Sequence, residues 1–142
     1  MKRIFAVVLV VLVICLALVS CGKAKQTDLS FTNKLSTVAH SVYISHESES
    51  EWGDPINNAR VSSGSTIYFD FDKLGNYGPG MYDVAVVDEN NINYDVYEVT
   101  LAKGDNITFS ASGETAIVTV TGADGATATY EGISYSGDDL PE

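Results

Sequence analysis

The sequence predicts an all-β fold, an antiparallel β-sandwich of immunoglobulin-like or transthyretin-like layout, with a small β-barrel as the alternative. Three observations predict it. After residue 28, apolar side chains alternate at period two in short runs, turn-forming residues separate these runs, and no stretch of ten residues carries apolar side chains at helical spacing. Two packed sheets are the most economical way for short antiparallel strands to bury one face each.

The predicted strands share this alternation and end at turn residues. They are residues 29–31, 38–44, 66–72, 81–87, 92–101, 106–111, 115–121 and 127–135. The third is the clearest, because Ile67, Phe69 and Phe71 point to one face and the residues between them to the other. In the fifth, the apolar side chains fall at even positions up to Val96 and at odd positions from Tyr97 onward, which predicts a β-bulge near Val96 and Tyr97.

Two pairs of turn residues lie between predicted strands. Asn90-Asn91 and Asp124-Gly125 predict two-residue hairpin turns, which need positive φ at both central positions. The eight Tyr and the many Thr and Val residues suit the pleated surfaces that such hairpins join.

The first twenty residues predict a signal peptide. Met1-Lys2-Arg3 is basic, and residues 4–19 carry no charge, but this apolar run is shorter than the roughly 20 residues that span a bilayer. Leu18-Val19-Ser20-Cys21 follows and resembles the lipobox of bacterial lipoproteins. The resemblance implies that the thiol of Cys21 takes a diacylglycerol and that cleavage makes Cys21 the new N-terminus. An ordinary secreted protein and an uncleaved anchor helix are the alternatives.

The predicted organisation has three parts: a signal peptide at 1–20, the lipidated Cys21 with a short tether at 21–28, and a single β-sandwich domain at 29–142. Cys15 leaves with the signal peptide, so the folded part has no cysteine and its core must hold it without disulfides. The resemblance places the protein outside the cytoplasm, anchored to the cell membrane by lipid. Gly22 follows Cys21 in place of the Asp of inner-membrane lipoproteins, which favours the outer membrane in a cell that has one.

The charge balance excludes nucleic acid as a partner. The chain has 8 Lys+Arg against 19 Asp+Glu, a formal net charge of −11, and such a surface repels phosphate backbones. The predicted partner is the membrane, reached through the lipid anchor, while a protein or glycan partner is left open by the sequence.

No metal or other cofactor is predicted. His40 and His46 lie about 20 Å apart along an extended strand, too far to share one zinc ion. Residues 70–75 copy the first half of an EF-hand loop, but Met81 stands where the loop needs a bidentate Glu.

Catalysis is not predicted either. Residues 132–137 (GISYSG) miss the G-x-S-x-G pattern by one residue and lack the strand-to-helix turn that this motif needs. With nineteen acids, any pair of carboxylates chosen for glycoside chemistry is arbitrary. A small hydrolase is the least favoured of the functional alternatives.

Three short motifs carry a second resemblance. Tyr43-Ile44-Ser45, Trp52-Gly53-Asp54 and Tyr82-Asp83-Val84 resemble a pattern in small, largely uncharacterised exported β-sandwich domains of bacteria. The resemblance implies a fold and no catalytic residues. Trp52, the only Trp, could stack on a sugar or anchor a partner, but the favoured interpretation is that it caps one end of the core.

The predicted function is therefore that of a lipid-anchored, non-catalytic binding or accessory module of the cell envelope. The alternative is a structural component that pairs with an envelope partner through a sheet edge.

Overall fold

The computed structural model describes residues 27–137. The signal peptide, the lipobox and the lipidation site Cys21 lie outside the described residues, as do residues 138–142. The strands are β1 Leu29–Asn33, β2 Ala39–His46, β3 Thr66–Phe69, β4 Gly80–Asp88, β5 Ile92–Leu101, β6 Asp105–Ser112, β7 Thr115–Thr121 and β8 Thr127–Ser136. A 3₁₀ turn at Phe71–Leu74 follows β3. Within this range no helix is long and apolar enough to cross a bilayer.

The eight strands belong to one hydrogen-bonded sheet in the order β2-β4-β5-β8-β7-β6-β1-β3. The all-β prediction is confirmed, and the sheet curls into a half-barrel, which fits the barrel-like alternative. The strands form one sheet, and the two packed sheets of the predicted sandwich are not seen among the described residues. Strands β1 and β6 run parallel, so the prediction of a wholly antiparallel arrangement is wrong for this pair.

The core lies on the inner face of the curled sheet. Alternate positions of most strands are buried there, as the period-two pattern requires, and the largest fully buried side chains include Tyr82, Phe31 and Phe109. The rings of Phe31 and Phe109 lie 6.0 Å apart across the parallel β1–β6 pair. Burial of side chains of this size contributes about 1.5–3 kcal/mol each to folding.

A bulge in β5 confirms the parity argument from the sequence. The register between β4 and β5 shifts between Tyr82 and Val84, and Glu98 adopts a φ of 58°. The backbone N–H of Glu98 donates to Oδ1 of Asp83 at 3.0 Å. The extra residue returns Val99 and Leu101 to the buried face, while Tyr97 lies on the outer face and is 51 % exposed.

Both hairpin turns differ from the two-residue prediction. Asn91 has a φ of 60° and Gly125 a φ of 83°, while the residues before them do not have positive φ. The N–H of each donates to the carbonyl three residues earlier, at 3.1 Å for Asn91 and 2.9 Å for Gly125. These are three-residue loops, in which a turn is followed by one left-handed residue.

The outer edge of β2 is covered by the long segment that leads to β3. Ala39 and Val61 form an isolated antiparallel bridge. Oδ1 of Asn57 accepts from the N–H of Val42 at 2.8 Å, and its Nδ2 donates to the carbonyl of His40 at 3.0 Å. A covered edge is protected from pairing with other chains, and the same segment begins with the loop that carries Trp52.

Candidate functional site

Trp52 lies on the outer face of the sheet. Its ring centroid is 6.5 Å from that of Tyr43 and 6.1 Å from that of Tyr97. Tyr43 faces outward because its neighbours in β2, Val42 and Ile44, are buried in the core. The prediction that Trp52 caps the core is therefore wrong, since two outward tyrosines provide the apolar surface on which the indole packs.

The loop that holds Trp52 is tied to β2 on both sides. Oγ of Ser45 donates to the carbonyl of Glu51 at 3.1 Å, and the N–H of Ile56 donates to the carbonyl of Val42 at 2.8 Å. Ile56 is buried in the core. Between these ties Gly53 has a φ of 70°, a conformation that other residues adopt at a cost. The indole is thus held over the sheet by a loop fixed at both ends.

A cleft of about 640 Å³ opens beside the indole. Tyr43 and Trp52 line it together with Tyr135 of β8 and two small side chains of β4, Ala85 and Val87. Clefts of this size accommodate small organic ligands, which bind mainly to apolar and aromatic surface with a few polar groups for orientation.

Asp95 is the most buried acid in this cleft, with 5 % of its surface exposed. Its Oδ2 accepts a hydrogen bond of 2.8 Å from the hydroxyl of Tyr135 and one of 3.2 Å from that of Tyr97. Burial, together with the Asp95 hydrogen bond and charge, raises the pKa of Tyr135 to about 12. The same causes raise the pKa of Tyr97, so both phenols remain protonated donors near neutral pH.

The surroundings of Trp52 are acidic. Glu51 and Asp54 also line the cleft, and no Lys or Arg of the described chain does. Trp52 borders two smaller cavities, of about 130 and 250 Å³, which it shares with further acids. Lys73 lines the second of these and is the single cation around the three cavities in the described range. Acids concentrated around an aromatic surface favour positively charged ligands.

The two histidines considered for zinc lie apart from each other. His40 contacts Ser41, whereas the ring of His46 stacks on Tyr77 at 4.2 Å between centroids. The hydroxyl of Tyr77 donates to Glu49. Within residues 27–137 no three His, Cys, Asp or Glu side chains converge as metal ligands.

The EF-hand-like segment forms the 3₁₀ turn and joins the tether to the domain. The N–H of Asp28 donates to Oδ1 of Asp70 at 2.8 Å, and Oδ2 of Asp28 accepts from the N–H of Phe71 at 3.2 Å. Nζ of Lys103 lies 3.6 Å from Oδ1 of Asp28. Two of the acids in this region therefore fix the start of the folded chain.

Ser134, from the near-match to the nucleophile motif, lies within β8. It pairs with Tyr94 of β5, and its N–H donates to the carbonyl of Glu114. The segment is extended on both sides of Ser134, so the sharp strand-to-helix turn of a nucleophile elbow is not formed here.

Comparison with known proteins gives no match. No family model, no curated protein and no solved structure matches this chain.

Sequence reasoning singled out Trp52 but missed the residues that surround it. Tyr43 and Asp95 lie at outward positions of their strands, and Tyr97, two residues after Asp95 and before the bulge, lies on the same face by simple alternation. Tyr135 could not be placed, because its approach to Asp95 depends on the pairing of β5 with β8.

Proposed function

We propose that this protein is a lipid-anchored, extracytoplasmic binding module that holds a ligand in the cleft beside Trp52. The observation that carries the proposal is the cleft itself: an aromatic cavity on the outer face, fixed by a tied loop, with the buried Asp95 in its wall. Cavities that combine aromatic surface with a few convergent polar groups are the usual form of binding sites.

The anchoring part of the proposal is supported by the sequence. The lipobox-like sequence ends at Cys21. Asp28, at the start of the domain, is held by its N–H bond to the Asp70 carboxylate, by the N–H of Phe71 on its own carboxylate, and by Lys103. One acyl chain gives weak membrane binding, whereas two or more hold a protein firmly. A diacylglycerol on Cys21 would therefore keep the domain at the membrane.

We propose no reaction for this cleft. What its side chains offer is stacking, hydrogen bonding and negative charge, which together bind a ligand without changing it. The hydrolase alternative is tested by a broad panel of ester, peptide and glycoside substrates, and turnover that is lost on mutation of a cleft residue would support it.

A second candidate function rests on the edge of β8. Strand β5 pairs with β8 where Ile92–Asp95 meets residues 133–136. Residues 127–131 pair with β7, and no other strand of the described residues pairs with them. Ile133, close to this stretch, is 56 % exposed. An extended segment of an envelope partner could add as a strand there.

Labelling with palmitate tests the anchor. We expect wild-type protein and the Cys15→Ser variant to incorporate palmitate and to sediment with membranes, because Cys15 is removed with the signal peptide. The Cys21→Ser variant should lose both properties. Label and membrane retention in Cys21→Ser would contradict the proposed anchor.

Photo-crosslinking in living cells distinguishes the two candidate functions. A photoreactive amino acid replaces Glu51 at the rim of the cleft in one strain and Ala128 on the open edge of β8 in another. Both positions are exposed, so the label itself is tolerated equally. Adducts from position 51 alone support the cleft, and adducts from position 128 alone support pairing at the edge.

A further inference from the structure

We propose that the Trp52 cleft binds an organic ammonium ion, a quaternary or methylated amine, between aromatic rings and the carboxylate of Asp95. This inference rests on the proposed function, because it assumes that the cleft is a binding site. It goes further by assigning the chemical class of the ligand.

The first argument is the unbalanced charge of Asp95. Buried carboxylates in proteins are normally paired with a cation, because removing an isolated charge from water is costly. Asp95 is 5 % exposed, and among the described residues its partners are two neutral phenols, with no ion pair. A cation delivered by a ligand would complete this arrangement.

The second argument is that the two tyrosines occupy one of the two carboxylate oxygens of Asp95. Both hydrogen bonds to its carboxylate reach Oδ2, and an ionised carboxylate has acceptor sites on both oxygens. Asp95 lines the cleft, and neither of these two hydrogen bonds engages Oδ1. Tyr97 and Tyr135 hold the other oxygen, which fixes the carboxylate in place.

The third argument is the aromatic surface. Trp gives the strongest cation–π attraction of the aromatic side chains, and a cation is bound within about 6 Å of the ring. The planes of Trp52 and Tyr43 are inclined at 56°, so the two rings form an angled surface instead of a flat one. An angled surface suits a compact, round head group such as trimethylammonium.

The polar groups of the cleft favour a cation over a sugar. Neutral donors are present, since the amide of Asn93 and the hydroxyl of Tyr43 also line the cleft. Its charged side chains, however, are all acidic: Glu51, Asp54 and Asp95 line it, and no Lys or Arg of the described residues does. A neutral sugar leaves this negative charge unbalanced, whereas an alkylammonium group offsets it, whether on a free small molecule or on a lipid head group.

The fluorescence of Trp52 tests this directly, because it is the only Trp in the chain. The protein is purified from cell membranes as processed by the cell, in a polyoxyethylene detergent, which has neither an ammonium nor a sugar head group. It is titrated with choline chloride and with 3,3-dimethylbutan-1-ol, the neutral carbon isostere of choline. We expect a saturable change with choline and affinity for the isostere at least tenfold weaker.

Three variants locate the site. Asp95→Asn keeps the size of the side chain and should weaken choline binding at least tenfold. Tyr68→Leu lies on β3 outside the cleft, where Tyr68 is 69 % exposed, and should bind choline as the wild type does. If Asp95→Asn does not fold, Glu51→Gln combined with Asp54→Asn removes the two exposed charges and should also weaken binding.

Two vesicle preparations distinguish the sources of the ammonium group. The acyl groups on Cys21 insert into any bilayer, so the response is read at Trp52 and not as vesicle binding. A change in Trp52 fluorescence on adding phosphatidylcholine vesicles that free choline reverses assigns a lipid head group, whereas a response to free choline alone assigns a soluble amine. Either result supports the inference, and phosphatidylglycerol vesicles provide the control without an ammonium group.

Three results would overturn the inference. These are equal affinity for the neutral isostere, saturable binding of cellobiose or maltose without choline binding, and no response to choline by either fluorescence or calorimetry. None of these results shows that the cleft binds no ligand at all, because crosslinking from position 51 captures a ligand of any charge. The absence of adducts from position 51 would contradict the proposed function itself.

Discussion

The hydroxyl of Tyr135 donates a 2.8 Å hydrogen bond to Oδ2 of Asp95, across 40 residues of sequence. The bond joins β8 to β5 close to Asp95 and Ile133, the last pair before the two strands separate. It therefore serves two purposes: it joins the two strands close to the point where they separate, and it orients the buried carboxylate of the cleft.

Stability should fall at alkaline pH because of this bond. The pKa of Tyr135 is about 12 in the folded protein, against 10.0 for an ordinary tyrosine. The folded state holds this proton more tightly than the unfolded chain, so the contribution is complete below pH 10 and is lost as the pH rises towards 12. Urea unfolding at a series of pH values measures it.

The control for this prediction is Tyr135→Phe, which has no hydroxyl to ionise. Its stability should depend less steeply on pH between 10 and 12 than that of the wild type, and absorbance near 295 nm should show one fewer late-titrating tyrosine. The same pH dependence in both proteins would contradict the assignment.

Gly132 should not tolerate a side chain. A Cβ at this position would lie 1.9 Å from the carbonyl oxygen of Asp95, a backbone atom that can move only with the whole strand. We expect Gly132→Ala to lower the free energy of unfolding by about 3 kcal/mol, at the upper end of overpacking effects. Gly80→Ala is the matched control in a strand, because its Cβ would make an ordinary contact of 3.5 Å with His46. Equal stability of the two variants would refute the close approach of β8 to β5.

Asp88 and Asp124 form a second matched pair, because each accepts a backbone N–H in a hairpin loop. Asp88 is buried and accepts from the N–H groups of Asn90 and Ile92 and from Oγ1 of Thr37, each at 2.9 Å. Asp124 is exposed and, within residues 27–137, accepts a hydrogen bond from the N–H of Ala126. Unsatisfied buried donors cost about 1–3 kcal/mol each, so Asp88→Ala should destabilise by about 3 kcal/mol and Asp124→Ala by less than about 1 kcal/mol. Thermal and urea unfolding measure both, and a larger loss in Asp124→Ala would reverse the expected order.

The acidity of the cleft should be detectable through quenching of Trp52. Caesium is attracted to a negative surface and iodide is repelled, so caesium should quench Trp52 more efficiently than iodide, each relative to free N-acetyltryptophanamide. Added sodium chloride should reduce the difference by screening. More efficient quenching by iodide would contradict a negative potential at the indole.

The strands were predictable from the sequence because side-chain alternation is a local property. Residues in β4 and β7 alternate as expected, and the change of side in β5 located the bulge near Tyr97. The third strand was predicted to reach residue 72 but ends at Phe69, because residues 71–74 form a 3₁₀ turn that buries Phe71 and Leu74. Which strands become neighbours is not local. The parallel pairing of β1 with β6 joins segments about 75 residues apart, and nothing in either segment indicates its partner.

The candidate site was only partly predictable for the same reason. Trp52 attracts attention as the single Trp, and its loop is visibly acidic. Asp95 is one of nineteen acids, and only the fold brings it beneath two tyrosines and beside the indole. Its burial comes from tertiary packing, which residue type and spacing do not encode.

Acylation of Cys21, which we propose holds the domain at a membrane, is measured by the mass of the N-terminal peptide of the protein purified from cell membranes. We expect this peptide to begin at Cys21 and to be heavier than its sequence by a diacylglycerol and, in some bacteria, by one further acyl group. A full-length chain that begins at Met1 and carries no acyl group would contradict it.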